Sequence, residues 1–232
     1  MSVGAGCCLR SQTSPCPIAA GLIVVHADEQ LLVLGKPAGL LAVPGRGEDK
    51  HDCLSRRVQA LYADALIVHR LDMATSGLML MARGEGMQRA LGMLFAQRRV
   101  HKRYVAVVEG QLVNPDPKND WQLIDLPIAP DWPRRPLRVV DAAGKPSQTR
   151  WRVLGFDTQA GTTRVELEPV TGRSHQLRVH LQALGHPILG DTLYAPLPVQ
   201  ARSARLLLHA CALHLAHPVS GALLQFESAT PF

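Results

Sequence analysis

Residues 69–83 read HRLDMATSGLMLMAR, a polar turn that runs directly into an apolar stretch. The apolar part, residues 77–83, has the length of a buried strand rather than that of a helix. The apolar residues after it recur at spacings of three and four, as on one face of an amphipathic helix: Met87, Ala90, Leu91, Leu94 and Phe95. The segment therefore predicts a polar loop, a buried strand and a helix, in that order.

Further strands are predicted on both sides of this segment. Residues 22–25 and 31–34 are apolar runs separated by a polar turn, which is typical of two paired strands. Residues 104–108, 148–156 and 162–170 also have the composition of strands. In the last of these runs apolar and charged side chains alternate, so we expect one face of that strand to be exposed to water.

Two more helices are predicted. One spans about residues 53–63, with Asp52 available as its N-cap. The other follows Ser174 as its N-cap and ends at Gly185, which suits the position after a helix. Because hairpins outnumber βαβ units, we expect a single α+β domain with a largely antiparallel mixed sheet flanked by helices and loops.

The composition is that of a globular protein. The 232 residues are 47% hydrophobic and 19% charged, which argues against a disordered chain, and no apolar stretch is long enough to span a membrane. We expect residues 1–20 to be a flexible leader and residues 21–232 to be the folded domain. Five cysteines without C-x-x-C spacing fit the cytoplasm, and ten histidines show no recognisable metal-ligand spacing.

The positive charge is concentrated in two places. The chain carries a net charge of +6. Residues 130–152 contain six basic and two acidic residues, and residues 98–103 contain four basic residues and no acidic one. Such clustering favours a basic stripe that binds a polyanion, although a solvated face without a ligand explains the charge equally well.

At two places charged residues stand where the local sequence pattern does not favour them, and both are candidates for catalysis or ligand binding. Asp72 lies among arginines and hydroxyl residues, where its alternative role is that of a turn or capping residue. Arg173 and Arg178 flank the start of the predicted helix, where the helix dipole disfavours cations by about 0.3–1 kcal/mol. Both arginines need nearby anions unless they point into solvent.

Three segments together carry a resemblance. Residues 69–77 (HRLDMATSG), 102–106 (KRYVA) and 172–180 (GRSHQLRVH) closely resemble, in order and spacing, three motifs of the RluA family of pseudouridine synthases. The resemblance extends through residues 35–40 and 186–191 and covers roughly residues 22–230. It implies an isomerase that converts uridine to pseudouridine in RNA without a cofactor or a metal ion.

The resemblance also implies roles for individual residues. Asp72 is the expected catalytic carboxylate, whether it attacks C1′ or removes the C2′ proton. Arg178 is its expected ion-pair partner, and Tyr104 is expected to pack on the base and to take part in the departure of the C5 proton. Arg70 is expected to enter the RNA when the target base is flipped out of its stack. For His69 a structural role, in which it ties down the loop of Asp72, is as good an interpretation as a catalytic role.

Substrate binding is expected to involve further residues. These are Leu177, Arg173, Lys102, Arg134 and Arg135. Residues 126–136 are similar to those of family members that modify both 23S rRNA and a tRNA anticodon stem-loop. The expected partner is therefore RNA and not a membrane, the expected state is a monomer, and an S4-like domain is not expected in residues 1–20.

Alternative functions remain open from sequence. A sister synthase that acts on another tRNA or rRNA uridine would share every catalytic residue, and a non-catalytic RNA-binding protein would need only the basic stripe. A glycosidase would need two cooperating carboxylates. Glu166 and Glu168 could supply the second one, but both are predicted on the exposed face of a strand. For His175 and His180 we favour a structural role over catalysis.

Overall fold

The computed structural model describes residues 21–45, 47 and 51–232, so the expected leader lies outside the described residues. The helices are α1 (Leu54–Gln59), α2 (Gly84–Ala96), α3 (Gln176–Ala183) and α4 (Leu197–Gln200). The strands are β1 (Ile23–Ala27), β2 (Leu31–Lys36), β3 (Ala65–Ile67), β4 (Ser76–Arg83), β5 (His101–Glu109), β6 (Gln122–Asp125), β7 (Ile128–Pro130), β8 (Arg138–Val140), β9 (Gln148–Asp157), β10 (Thr162–Pro169), β11 (Leu208–Ala216) and β12 (Leu223–Glu227). None of these helices has the length and apolar character that a membrane span requires.

Ten of the strands form one mixed sheet. Its order is β1-β2-β4-β11-β5-β10-β9-β6, with β12 paired to β11 and β3 paired to β4. β7 and β8 form a separate hairpin. The pairs are antiparallel except for β4 and β11, which run parallel with Ser76 opposite His209 and Gly77 opposite Ala210. The predicted α+β fold with a largely antiparallel sheet is confirmed.

Gly77 allows β4 and β11 to come together. Its φ is +113°, and a Cβ atom at this position would lie 2.3 Å from the carbonyl oxygen of Ala210. A larger residue would therefore collide with the backbone of β11 as well as strain its own. Gly77, which ends the polar turn of residues 69–77, thus allows the loop that carries Asp72 to lead directly into the pair of β4 and β11.

The centre of the sheet is covered on both faces. Leu32, Leu34, Met79 and Met81 face one apolar cluster, which also contains residues from α1 and α3. The alternate residues of β2 and β4 face a second cluster, which contains the apolar face of α2. Because successive side chains point to opposite faces, a strand buried on both faces reads as a continuous apolar run. This explains the pattern of residues 77–83.

The predicted helix α2 is confirmed, but the predicted N-caps of two other helices are wrong. α1 begins after Cys53 and is shorter than expected, and both Asp52 oxygens accept hydrogen bonds from Arg57, at 2.6 and 2.7 Å. α3 begins after His175, which has a left-handed φ of 58°, so Ser174 is not its cap. Gly185 ends α3 as predicted, with φ +82°.

The expected exposure of Glu166 and Glu168 is also wrong. Only 8% of Glu166 is exposed, because it accepts a hydrogen bond from Arg152 at 2.6 Å and lies 3.5 Å from Arg103. Glu168 accepts one from Arg150 at 3.0 Å. Arginines on the neighbouring strands therefore cover this face, and part of the predicted basic stripe is neutralised within the sheet.

Candidate active site

A cavity of about 780 Å³ opens beside the loop that precedes β4. The end of α2, the start of β5, the end of β10 and the start of α3 complete its wall. Seven of the nine site residues predicted from sequence line it: Arg70, Asp72, Lys102, Tyr104, Arg173, Leu177 and Arg178. The fold thus brings residues from three separate motifs to one concave site, which we call the cleft.

A buried lysine holds the loop that carries Asp72. Lys36 is only 2% exposed, and its Nζ donates hydrogen bonds to the carbonyl oxygens of Pro37, Leu40 and Met73 at 2.8, 2.7 and 3.0 Å. Burial lowers the pKa of Lys36 to about 8. Because Met73 directly follows Asp72, this lysine positions the carboxylate through the backbone.

His69 anchors the other end of the same loop. Its Nε2 accepts a hydrogen bond from the backbone N–H of Leu80 at 2.8 Å, and its ring packs against Phe95 with centroids 4.8 Å apart. Burial lowers the pKa of His69 to about 3, so the ring is neutral and its Nε2 lone pair is occupied. These contacts favour the structural role for His69.

Asp72 faces a buried arginine. The Nη1 atom of Arg178 lies 3.4 Å from Oδ2 of Asp72. The same guanidinium donates from Nε and Nη2 to both oxygens of Asp191, at 2.8 and 2.6 Å. Burial opposes the charge, but the hydrogen bonds to Asp191 raise the pKa of Arg178 above its ordinary value. The arginine is therefore a fixed cation beside the carboxylate.

A second side chain reaches Asp72 from the start of α3. Nε2 of His175 lies 3.9 Å from Oδ1 of Asp72, and Nδ1 lies 2.6 Å from the phenol oxygen of Tyr194. That oxygen accepts the backbone N–H of Arg138 at 2.9 Å. Burial lowers the pKa of His175, which favours the neutral ring. The geometry suits the tautomer with its proton on Nε2, because an N–H rather than a lone pair then faces the carboxylate.

Tyr104 forms the buried wall of the cleft. It is 8% exposed, and burial together with the negative charge of Asp72 raises the pKa of its phenol. The phenol is therefore neutral at physiological pH. This arrangement suits packing against a planar base better than it suits a resident phenolate.

The two remaining predicted residues, Arg134 and Arg135, do not line the cleft. They lie between β7 and β8, where Arg134 pairs with Asp131 at 2.7 Å and the Arg135 guanidinium lies 3.8 Å from the centre of the Trp132 ring. Within the described residues, the basic side chains that line the cleft without a carboxylate partner are Arg70, Arg98, Lys102 and Arg173. The basic residues predicted to form one stripe therefore lie in two places, one group around the cleft and another in the hairpin of β7 and β8.

Sequence reasoning missed Lys36, Asp191 and Tyr194 as parts of the site. Lys36 and Asp191 lie in segments 35–40 and 186–191, which contribute to the family resemblance, so that signal could have indicated them. Tyr194 lies outside these segments and carries no such signal. Nε2 of His180 donates to the carbonyl oxygen of Leu126 at 3.0 Å, and its Nδ1 lies 2.9 Å from the hydroxyl oxygen of Thr149. The residue is fully buried, which fits the structural role preferred for it.

Among the residues that the structure describes, the cleft offers one carboxylate without a strong partner for chemistry on a ligand, that of Asp72. Glu168 also lines it, but Arg150 holds that carboxylate at 3.0 Å. Asp191 is fully buried and bound to Arg178. A glycosidase pair of acid and nucleophile or base is therefore not formed by these side chains.

Comparisons with known proteins agree with this geometry. Residues 30–183 match the family described as RNA pseudouridylate synthase. The chain is 46% identical over 212 residues to the "Dual-specificity RNA pseudouridine synthase RluA" of Escherichia coli O6:H1, covering 91% of this chain and 94% of that one. It is 45% identical over 212 residues to the protein of the same name from Yersinia pestis, covering 91% and 100%. Among solved structures, human RNA Pseudouridylate Synthase Domain Containing 1 superimposes with a TM-score of 0.74 and 28% identity, covering 91% of this chain and 84% of that one.

Proposed function

The chain belongs to the RNA pseudouridylate synthase family, and we propose that it modifies uridines in both 23S rRNA and a tRNA anticodon stem-loop, with Asp72 as its catalytic carboxylate. The protein is an isomerase that converts uridine in RNA to pseudouridine. The assignment of Asp72 rests on its place in the cleft, beside the fixed cation of Arg178 and in the same cavity as Tyr104.

The reaction needs one ionised carboxylate at the sugar. The N1–C1′ bond of uridine breaks and a C5–C1′ bond forms, while C5 loses a proton and N1 gains one. Asp72 acts either on C1′ as a nucleophile or on the C2′ proton as a base. A carboxylate covered by an extruded base would tend to take up a proton through loss of water contact. Arg178 places a positive charge 3.4 Å from the Asp72 carboxylate and so stabilises its negative charge.

The target base must leave its stack to reach Asp72. Flipping costs a few kcal/mol, and the vacancy in the RNA must be filled. Arg70 is exposed on the loop that carries Asp72, which supports the proposal that its planar guanidinium enters the RNA. Lys102 and Arg173 line the same cleft and are proposed to contact the phosphates that dominate RNA affinity.

Two features support action on two RNAs. The bacterial relatives that are 45–46% identical carry the name dual-specificity. Residues 126–136, which resemble the same relatives, form much of the β7–β8 hairpin beside the cleft, where Arg134 and Arg135 are proposed to contact RNA. We further propose that the protein works as a monomer in the cytoplasm.

Pseudouridine mapping tests this proposal. Unmodified tRNA and 23S rRNA transcripts are incubated with the protein and analysed by carbodiimide treatment and primer extension. Asp72→Asn should abolish product in both RNAs while RNA binding persists, whereas Glu85→Gln, an exposed carboxylate on α2, should leave product unchanged. Product in only one RNA would favour a sister synthase. Product with Asp72→Asn would refute the role of Asp72.

A further inference from the structure

A second cavity lies in the β7–β8 hairpin, outside the cleft. Its volume is about 320 Å³, and its lining residues are Pro130, Trp132, Arg135, Pro136, Leu137 and Arg138. Its walls combine proline rings, an indole and two guanidinium groups. Such walls suit a flat ligand with hydrogen-bond acceptors at its edge.

Trp132 is an exposed aromatic platform. It is 64% exposed although it is a large apolar side chain. The guanidinium of Arg135 lies 3.8 Å from the centre of its ring. Because most of the side chain is nevertheless exposed, part of the indole remains open to a ligand. An exposed indole beside arginine is the arrangement on which unpaired bases stack in proteins that bind single-stranded nucleic acid.

Asp131 holds this platform in place. It is 8% exposed, and its carboxylate accepts hydrogen bonds from the backbone N–H and the guanidinium of Arg134, at 3.2 and 2.7 Å. The backbone N–H of Asp131 donates to the carbonyl of Leu137 at 3.0 Å, which closes the turn. The platform is thus built before any ligand arrives, which lowers the entropy cost of binding.

Arg138 supplies an unused donor. Its Nε is buried and has no hydrogen-bond partner among the described residues. A buried donor without a partner costs free energy, so the Arg138 side chain, which lines this cavity, gains from a shift that turns its guanidinium towards an acceptor on a ligand. The backbone N–H of the same residue binds Tyr194, whose phenol contacts His175 in the cleft. Arg138 in the wall of this cavity is therefore linked through Tyr194 to His175 in the wall of the cleft.

We propose that this cavity binds a second, unpaired base of the same RNA whose target uridine enters the cleft. The proposal rests on the proposed function, because it needs an RNA loop in the neighbouring cleft. Trp132 stacks on the base and Arg135 backs the indole. Arg138 turns its guanidinium into the cavity and donates to an acceptor on the base edge. The walls favour RNA over a peptide, since each nucleotide joins a flat base with edge acceptors to a phosphate that the two guanidinium groups attract.

A double-mutant cycle between protein and RNA tests the proposal. The Kd of the tRNA anticodon stem-loop is measured for the wild type and for Trp132→Ala, with an abasic nucleotide placed at each loop position other than the target. Trp132→Ala should weaken binding about 10- to 100-fold. At one loop position, the abasic substitution should weaken wild-type binding by a similar factor and should have no further effect on Trp132→Ala.

Controls separate this inference from its alternatives. Trp132→Phe should restore most of the affinity, and Leu123→Ala, which removes an exposed apolar side chain on β6, should leave it unchanged. The inference is overturned if every abasic effect is retained in full in Trp132→Ala, or if that variant binds like the wild type. Because the readout is Kd, absence of turnover on the stem-loop would count against the proposed dual specificity and not against this cavity.

Discussion

Arg178 donates hydrogen bonds of 2.6 and 2.8 Å to Asp191 but reaches Asp72 only at 3.4 Å. The guanidinium is therefore placed by a carboxylate that is fully buried, and one of its nitrogen atoms remains for the carboxylate in the cleft. Asp191 also accepts the backbone N–H groups of Leu193 and Tyr194. Its position is thus fixed by the chain that follows it.

Substitution of Asp191 should affect stability and turnover together. Asp191→Ala leaves a buried guanidinium without its main partner, which should lower the free energy of unfolding by about 3–5 kcal/mol. Asp191→Asn keeps an acceptor for the backbone and should fold, but kcat should fall by up to about 100-fold because Arg178 shifts. Urea unfolding and single-turnover assays measure the two effects. A normal kcat for Asp191→Asn would contradict the positioning role.

Tyr194→Phe should slow the reaction with little change in folding. The substitution removes the oxygen that binds His175 and the backbone of Arg138, which should cost about 1 kcal/mol of stability. His175 then loses the contact that fixes its tautomer, so kcat should fall about 10-fold while the KM for RNA is retained. Tyr62→Phe is the matched control, since the Tyr62 ring contacts Arg83 and does not line the cleft. Equal kcat values for the two variants would refute the role of Tyr194.

The pH dependence of the rate should not report an ionised Tyr104. Burial and the charge of Asp72 raise its pKa above the ordinary value of about 10, so the neutral phenol persists through pH 9. Wild type and Tyr104→Phe should therefore show the same shape of kcat against pH between pH 6 and 9, whatever their absolute rates. A rise in the wild-type rate towards pH 9 that disappears in Tyr104→Phe would show that the phenolate is the reacting form.

The folded protein should lose stability in mild acid. Burial lowers the pKa of His69 to about 3, and it also lowers the pKa of His175, His180 and His209. In the unfolded chain these rings take up protons near pH 6.5, so the unfolded state binds more protons as the pH falls. The free energy of unfolding should thus decrease from pH 7.5 to pH 5.5, measured in urea. The decrease should be smaller in His69→Gln, and an equal decrease would contradict this assignment.

β1, β2, β4, β5, β9, β10 and α2 could be predicted because a local run or periodicity of apolar residues reflects their burial, whereas the short strands β3, β6, β7 and β8 carry no such pattern and were not predicted. Residues 77–83 are apolar throughout since both faces of β4 are covered. The predicted caps at Asp52 and Ser174 failed because a charged partner, Arg57, and the left-handed backbone of His175 decide those helix starts. Neither cause is visible in a pattern of residue types.

The site could be predicted only in part, because some of its contacts join residues that are far apart in the sequence. Motif resemblance placed Asp72, Tyr104 and Arg178 in one region, and the fold brings them to one cleft. The charge pattern could not show that Glu166 would neutralise Arg152 from the adjacent strand, because that pairing depends on register. The role of Tyr194 depends on a contact across 56 positions with Arg138, which no local pattern encodes.

The parallel pair of β4 and β11 has a consequence for synthesis on the ribosome. Ser76, directly after the loop of Asp72, lies opposite His209, and the two side chains share a hydrogen bond of 2.8 Å. A contact between residues so far apart in the chain forms late, since the intervening loop must first be closed. Because β11 lies between β4 and β5 in the sheet and its Leu208 lines the cleft, we expect a nascent chain to complete this cleft only after β11 has emerged.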